Sequence, residues 1–227
     1  MKYYFLLVLT IILISGCAQQ ANQDPTQLLK DSINKSSQAS YKVDYDFIVD
    51  IGAFDELENF QTIRTIGSIT QYKRGKNMKI VTKTDSLLTS EGLEKTNGTE
   101  TIVYILPGVI YECALDNCTK TDVVNNSITD LLDQSKSLVT IDNAIKSGQV
   151  IVNLTQDGFV VGRQCFNFEI SEGQYNNPYK MCMDKESGVT LSSYAETVLG
   201  SVISRINTTA KSFSTEVDDS EFVVPKN

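Results

Sequence analysis

Between Tyr41 and Ile51 the chain alternates in a pattern that leaves little choice of local structure. Tyr41, Val43, Tyr45, Phe47, Val49 and Ile51 fall on one side, and Lys42, Asp44, Asp46, Ile48 and Asp50 on the other. Successive strand side chains point to opposite faces, so this period of two is the pattern of a long, half-buried β-strand. A strand with one apolar and one mostly acidic face belongs in an antiparallel sheet covered on one side and wet on the other.

The segments around it extend the reading. Asp24-Pro25 reads as an N-cap followed by the first helical residue, and Leu28, Leu29 and Ile33 make an apolar stripe to about residue 37. Strand-like composition follows at 60–73, with Gly67 marking a bulge, and at 77–84. The run 101–106 is apolar on both faces and predicts a central strand; Pro107-Gly108 turns it into 109–114. Ser127-x-x-Asp130 resembles a capping box, with Ile128, Leu131, Leu132 and Leu138 as a helical stripe, and 140–147 reads as a second helix ended by Gly148. Strands resume at 149–154, 158–170, 179–184, 189–198 and 201–212, separated by turns at Asp157-Gly158, Ser187-Gly188 and Leu199-Gly200. The expected fold is α+β and mainly antiparallel β: a strongly curved sheet, an unclosed half-barrel, with helices covering its concave face. No Pro/Gly/Ser-rich linker interrupts it, so 24–227 is expected to form one β-rich domain.

The first residues read as an export leader. Lys2 is a minimal basic region, Tyr3 to Ile14 are mostly apolar, and Ser15-Gly16 are small, as a signal peptidase requires. The stretch is shorter than the ~20 residues that span a bilayer. Ile14-Ser15-Gly16-Cys17 resembles the lipobox of bacterial and many archaeal lipoproteins. The resemblance implies that residues 1–16 are a signal peptide, that Cys17 carries lipid on its sulfur, and that 17–23 form a polar tether. At ~0.8 kcal/mol per buried CH₂, two acyl chains hold a protein stably on a membrane. The expected location is the cell membrane, lipid-anchored, on its extracellular or periplasmic face.

Four further cysteines, Cys113, Cys118, Cys165 and Cys182, are an even number in an exported chain, and so read as structural disulfides with three connectivities open. Pairing 159–170 with 179–184 so that Cys165 faces Cys182 sets Phe166 against Met181 and Phe168 against Tyr179 on one face. Arg163 then meets Asp184, and Asn167 meets Lys180, on the other. This predicts a Cys165–Cys182 bridge on the more polar face, while Cys113–Cys118 closes a tight loop.

Absent residues exclude chemistry. There is no His, which removes His-based triads and His-ligated metals, and no Trp. A net charge of −8 opposes nucleic-acid binding. Clustered acids at Asp55, Glu56 and Glu58, or at Glu169 and Glu172, read as solvated faces, so no enzyme, cofactor or metal is expected. Sequons at Asn34, Asn97, Asn117, Asn125, Asn153 and Asn207 are a mild excess over chance and are consistent with a glycoprotein; the bridged Cys118 makes Asn117 the least suitable.

The layout resembles the lipoprotein-carrier superfamily of LolA, LolB, LppX-like lipoproteins and the RseB sensor domain. The resemblance rests on Pro25-Thr26-Gln27-Leu28-Leu29 before the long strand, on the Cys182 to Leu191 stretch with its Asp184 and Gly188, and on the terminal Phe222-Val223-Val224-Pro225. It implies an unclosed barrel with a helical lid and an apolar cavity that holds acyl chains. Tyr45, Phe47, Ile102, Tyr104, Phe166, Phe168 and Met181 are the expected cavity residues, taken as one inward set. The expected function is an anchored extracytoplasmic lipoprotein that binds, carries or senses an apolar, acyl-chain or lipid-like ligand. The alternative is a structural or protein-interaction surface lipoprotein with no pocket and an envelope protein partner.

Overall fold

The computed structural model describes residues 24–54, 60–89, 92–94, 98–114, 117–122, 143–172 and 178–225. The leader, Cys17 and the tether, and the capping-box helix expected at 127–138, lie outside the described residues.

Helix α1 (Pro25–Gln38) starts where its cap predicts: the Asp24 carboxylate accepts from the Thr26 N–H at 3.0 Å and Pro25 occupies the first turn. Its C-terminal carbonyls are met from another element. The Lys73 ammonium donates to the carbonyls of Ser36 and Ala39 at 2.9 and 3.2 Å and also to that of Ser37. Burial pushes this ammonium below its ordinary pKa, and the three carbonyl dipoles offset that cost.

The strands form one antiparallel sheet. In chain order they are β1 (Tyr41–Phe54), β2 (Phe60–Arg74), β3 (Asn77–Thr89), β4 (Gly92–Glu94), β5 (Thr99–Leu106), β6 (Val109–Ala114) and β7 (Asn117–Asp122). Then come β8 (Val150–Leu154), β9 (Gly158–Val160), β10 (Arg163–Glu172), β11 (Tyr179–Asp184), β12 (Thr190–Leu199) and β13 (Val202–Ser214). The order is β7-β6-β5-β3-β2-β1-β13-β12-β11-β10-β8, with β4 on β3 and β9 on β10. β7 and β8 stand at opposite ends of that order, so the sheet is unclosed. It is strongly curved as well: the Arg163 guanidinium of β10 lies 4.4 Å from the Phe213 ring centroid of β13. Those strands are three spacings apart, roughly 14 Å in a flat sheet.

Two local expectations are corrected. The stretch 158–170 is a hairpin, not one strand: Val161 (φ 45°) and Gly162 (φ 76°) turn β9 into β10. A β-branched residue at positive φ is rare, so nothing in the composition marks the turn. The β10–β11 register is displaced by two residues, with Cys165 opposite Asp184, Asn167 opposite Cys182 and Phe168 opposite Met181. A shift of two preserves which face each side chain occupies, so the Phe and Met residues still share one face and the cysteines the other.

The disulfides form in the expected pairs. Cys113 and Cys118 are direct cross-strand partners in the β6–β7 hairpin, their Cα atoms 4.0 Å apart, where a plain loop was expected. Cys165–Cys182 lies on the more polar face of the hairpin, as expected, but is buried in the core there: the two residues are 0% and 3% exposed. A bulge explains this. Between Cys182 and Met183 the β11–β12 pairing skips Leu191, and Leu191 joins both cysteines, Val189, Ala210, Tyr41, Val43 and Tyr45 in one buried cluster. The other face of the same hairpin is buried too, with Phe168 and Met183 packed against Leu29 of α1 and Val152 of β8.

The β11–β12 turn locks α1 to the sheet. Gly188 sits at φ 70°, and a Cβ there would overlap the Ser32 carbonyl of the helix. Asp184, 1% exposed, holds the turn by accepting from Arg163 at 2.8 and 2.9 Å and from the Ser187 N–H and hydroxyl. Burial works against the Asp184 carboxylate, but these donors outweigh it and hold its pKa below the usual range.

Two outcomes follow. Removing Cys165–Cys182 by double Ala substitution should cost about 3 kcal/mol in urea unfolding, and removing Cys113–Cys118 about 2, since the closed loops differ in length; equal losses would contradict loop closure as the source of the stabilisation. A carboxylate with a depressed folded pKa contributes stability above its unfolded value near 3.9, lost as pH falls through the folded value. Asp184→Asn should therefore destabilise by about 3 kcal/mol at pH 7 and flatten the acid limb of the stability curve below pH 4. An unchanged acid limb would show that Asp184 is not the titrating group.

Candidate functional site: the concave apolar face

Register assigns every side chain to a face. One transverse row runs Phe47–Thr208–Ser193–Met181–Phe168–Leu154 across six strands. Its neighbour on the opposite face runs Asp46–Thr209–Ser192–Cys182–Asn167. The first row lies on the concave side. Tyr45 reaches from β1 across β13 to donate its hydroxyl to the Thr190 carbonyl of β12 at 2.7 Å. Burial raises the Tyr45 phenol above its ordinary range, and the phenols of Tyr41 and of Tyr179 on β11 add to the shift; burial alone pushes Tyr41 up, to about 12.

The concave face has a closed and an open part. Near α1 it is dry: Phe168 is buried against Leu29, and Phe166 and Met181 pack beside it, with the two Phe ring centroids 6.2 Å apart. The Phe47 ring closes over Gly67, where a Cβ would overlap it. Away from α1 the same face stays apolar but opens to solvent. Ile51 is 45% exposed, Ile63 47%, Ile206 43%, Val202 39% and Leu199 69%. Ile51 pairs with Ile63, Leu199 with Val202, and Ile206 with Val49, so all five share the face of Phe47.

Behind this apolar stretch the outer face is a charge ladder. Arg64, Asp50, Arg205 and Glu196 follow one another across β2, β1, β13 and β12. Arg64 grips Asp50 through two bonds of 2.6 and 2.9 Å, and Glu196 accepts from Arg205 and Tyr194. The Arg64 hydrogen bond chiefly holds the Asp50 carboxyl low. Alternation thus gives these strand ends a back that mixes this charge ladder with Ile48, Ile203 and the 45% exposed Val198, and an apolar-rich front that the described core leaves open.

The expected cavity set divides. Tyr45, Phe47, Phe166, Phe168 and Met181 lie on the concave face. Ile102 and Tyr104 do not: the row from Tyr45 passes through Ile69 and Thr82 to Thr101, so their side chains point outward. Tyr104 is buried there beside Lys79, whose ammonium lies 5.6 Å from its ring centroid and pairs at 2.9 Å with Glu221 of the terminal 3₁₀ turn. Ile63, Leu199, Val202 and Ile206 were not anticipated; alternation marks their face, but exposure is set by where α1 stops.

Of the acid pairs, Asp55, Glu56 and Glu58 lie outside the described residues, and Glu169 is held by Lys180 at 3.0 Å. Among the described residues no group of three or more His, Cys, Asp or Glu could hold a metal, and no helix is long and apolar enough to cross a membrane. A groove of about 360 Å³ lies on the outer face, lined by Asn167, Glu169, Lys180, Tyr194 and Asn207 but also by Phe168, Met181 and Cys182, so its lining is mixed polar and apolar.

No protein-family model matches the chain, and no curated protein does. Among solved structures, MucB in complex with MucA from Pseudomonas aeruginosa is 13% identical with a TM-score of 0.47, covering 89% of this chain and 61% of that one. An uncharacterized conserved protein from Thermus thermophilus is 9% identical, TM-score 0.44, covering 90% and 96%. The lipoprotein LppX from Mycobacterium tuberculosis is 10% identical, TM-score 0.41, covering 86% and 99%. The chain spans about three fifths of the length of the MucB chain. At these identities and scores the likeness offers no residue correspondence.

Proposed function

We propose that this chain is an extracytoplasmic lipoprotein, anchored through Cys17, whose concave face binds an apolar ligand of acyl-chain character as a carrier or sensor. One observation supports it above the others: the face that carries the buried Phe47 and Phe168 extends, with Thr208, Ser193 and Ser204 interspersed, to the exposed Ile51, Ile63, Leu199, Val202 and Ile206. A core needs no such extension into water, whereas an elongated apolar ligand does. The buried end gives a floor, and the exposed end gives entry. The chemistry is binding alone, with no nucleophile or acid pair assigned.

The second reading is a protein-interaction lipoprotein without a pocket. The observation in its favour is that the apolar stretch is open, as a surface for a partner would be.

Titration of a fluorescent fatty acid into the Cys17→Ser form, made soluble by loss of the anchor, separates the two. Saturable binding in the micromolar range, weakened at least tenfold by Ile51→Asp or Ile206→Asp with unfolding midpoints unchanged, is the expected result. A tenfold loss corresponds to about 1.4 kcal/mol, well within the cost of burying a carboxylate against an acyl chain. Absence of saturable binding, together with a stoichiometric envelope partner in crosslinks that the same variants lose, would replace the first reading by the second. Intact mass of the mature protein should show loss of residues 1–16 and a diacylglyceryl group on Cys17.

A further inference from the structure

The sequons are a motif the ligand reading leaves unused, and the register sorts them. Asn117 is followed by the bridged Cys118, and Asn34 stands on α1, apart from the sheet. Asn97 and Asn125 lie outside the described residues. Asn153 and Asn207 differ from Asn34 and Asn117 in sharing one cross-strand row. Both are exposed, and both stand on the polar outer face.

They also stand on one line. Asn207, Tyr194, Lys180, Glu169 and Asn153 are successive cross-strand partners over β13, β12, β11, β10 and β8. The two asparagines end a row of four strand spacings, roughly 19 Å. The groove lies along that row, and Asn207, Tyr194, Lys180 and Glu169 line it. Its lining combines the Tyr194 ring, the Lys180–Glu169 ion pair, amides and hydroxyls with apolar Phe168 and Met181, a mixture that meets a sugar's hydroxyls and its apolar ring face.

We propose that Asn153 and Asn207 are paired N-glycan attachment sites, and that the first sugars on Asn207 lie in the groove over Tyr194 and Lys180. The donor is a lipid-linked oligosaccharide presented by a membrane oligosaccharyltransferase. The bond from sugar C1 to the donor phosphate oxygen breaks, the bond from C1 to the Asn Nδ2 forms, one amide proton leaves, and the lipid phosphate departs with the bonding pair. Both glycans then cover the outer face, leaving the concave apolar face uncovered on the other side of the same strands.

The assignment rests on the exported address but not on the apolar ligand. The test is glycopeptide mass spectrometry on the full chain purified from its own cells. The expected result is a glycan on Asn153 lost in Thr155→Ala, a glycan on Asn207 lost in Thr209→Ala, and neither lost in the other's variant. A processed chain with either peptide unmodified overturns the pairing, whereas a retained leader overturns the address instead. For the groove, acylation of Lys180 by an amine-reactive reagent should rise at least threefold in Asn207→Gln relative to the glycosylated wild type, with the exposed Lys76 as an unchanged control. Equal labelling of Lys180 in both would remove the sugar from the groove.

Discussion

A curved sheet whose concave face is rich in apolar side chains across its width needs a cover as wide as itself, and α1 is not that wide. Its fourteen residues span about 21 Å. That reaches from Val152 of β8, past the β11–β12 turn, to Lys73 at the end of β2. The contact at Gly188 sets where the helix lies: its backbone touches the turn, so it cannot slide along the strands toward their far ends. Everything on the concave face near this line is dry, and what lies beyond it grades into solvent. The division between core and site is therefore a matter of distance from one helix.

The strands make that division possible because they carry different loads along their length. Close to α1, bulges at Leu191 in β12 and opposite Tyr45 in β13 bring the cysteines and the β1 aromatics into one cluster. Both faces of the β10–β11 hairpin are buried there, and the disulfide adds a covalent tie where packing is densest. At the far ends the strands are held by long pairing and by the charge ladder of Arg64, Asp50, Arg205 and Glu196 on the outer face. Surface ion pairs of this kind add little each, but they keep an extended strand end soluble on one side. The apolar front can then be open without being needed for the fold.

Much of this was readable in the chain, in proportion to how local the determinant is. The alternation from Tyr41 to Ile51, the Asp24-Pro25 cap and the turn glycines 108, 188 and 200 act within a few residues, and the structure keeps them. Pairing Cys165 with Cys182 followed from matching apolar with apolar, but that match survives a shift of two, so parity was right and register was not. The hairpin at Val161 was illegible because a valine in the left-handed region has no compositional signal. Ile102 and Tyr104 were assigned to the wrong side because a run apolar on both faces carries no parity; only register through β1, β2, β3 and β5 decides it. The pairing of β1 with β13, which joins residues about 160 apart, sets the curve and has no local trace. Exposure of Ile51 and Ile206 depends on that curve and on the helix, so a pattern that marks their face cannot say what covers them.

Methyl-resolved NMR of the isotopically labelled domain, titrated with a saturated fatty acid, addresses the claim that the uncovered concave face is the binding site. The methyl resonances of Ile51, Ile63, Leu199, Val202 and Ile206 should shift together and saturably, with Ile48 and Val198 on the outer face of the same strands unmoved. Shifts confined to the outer face, or spread evenly over both, would contradict it.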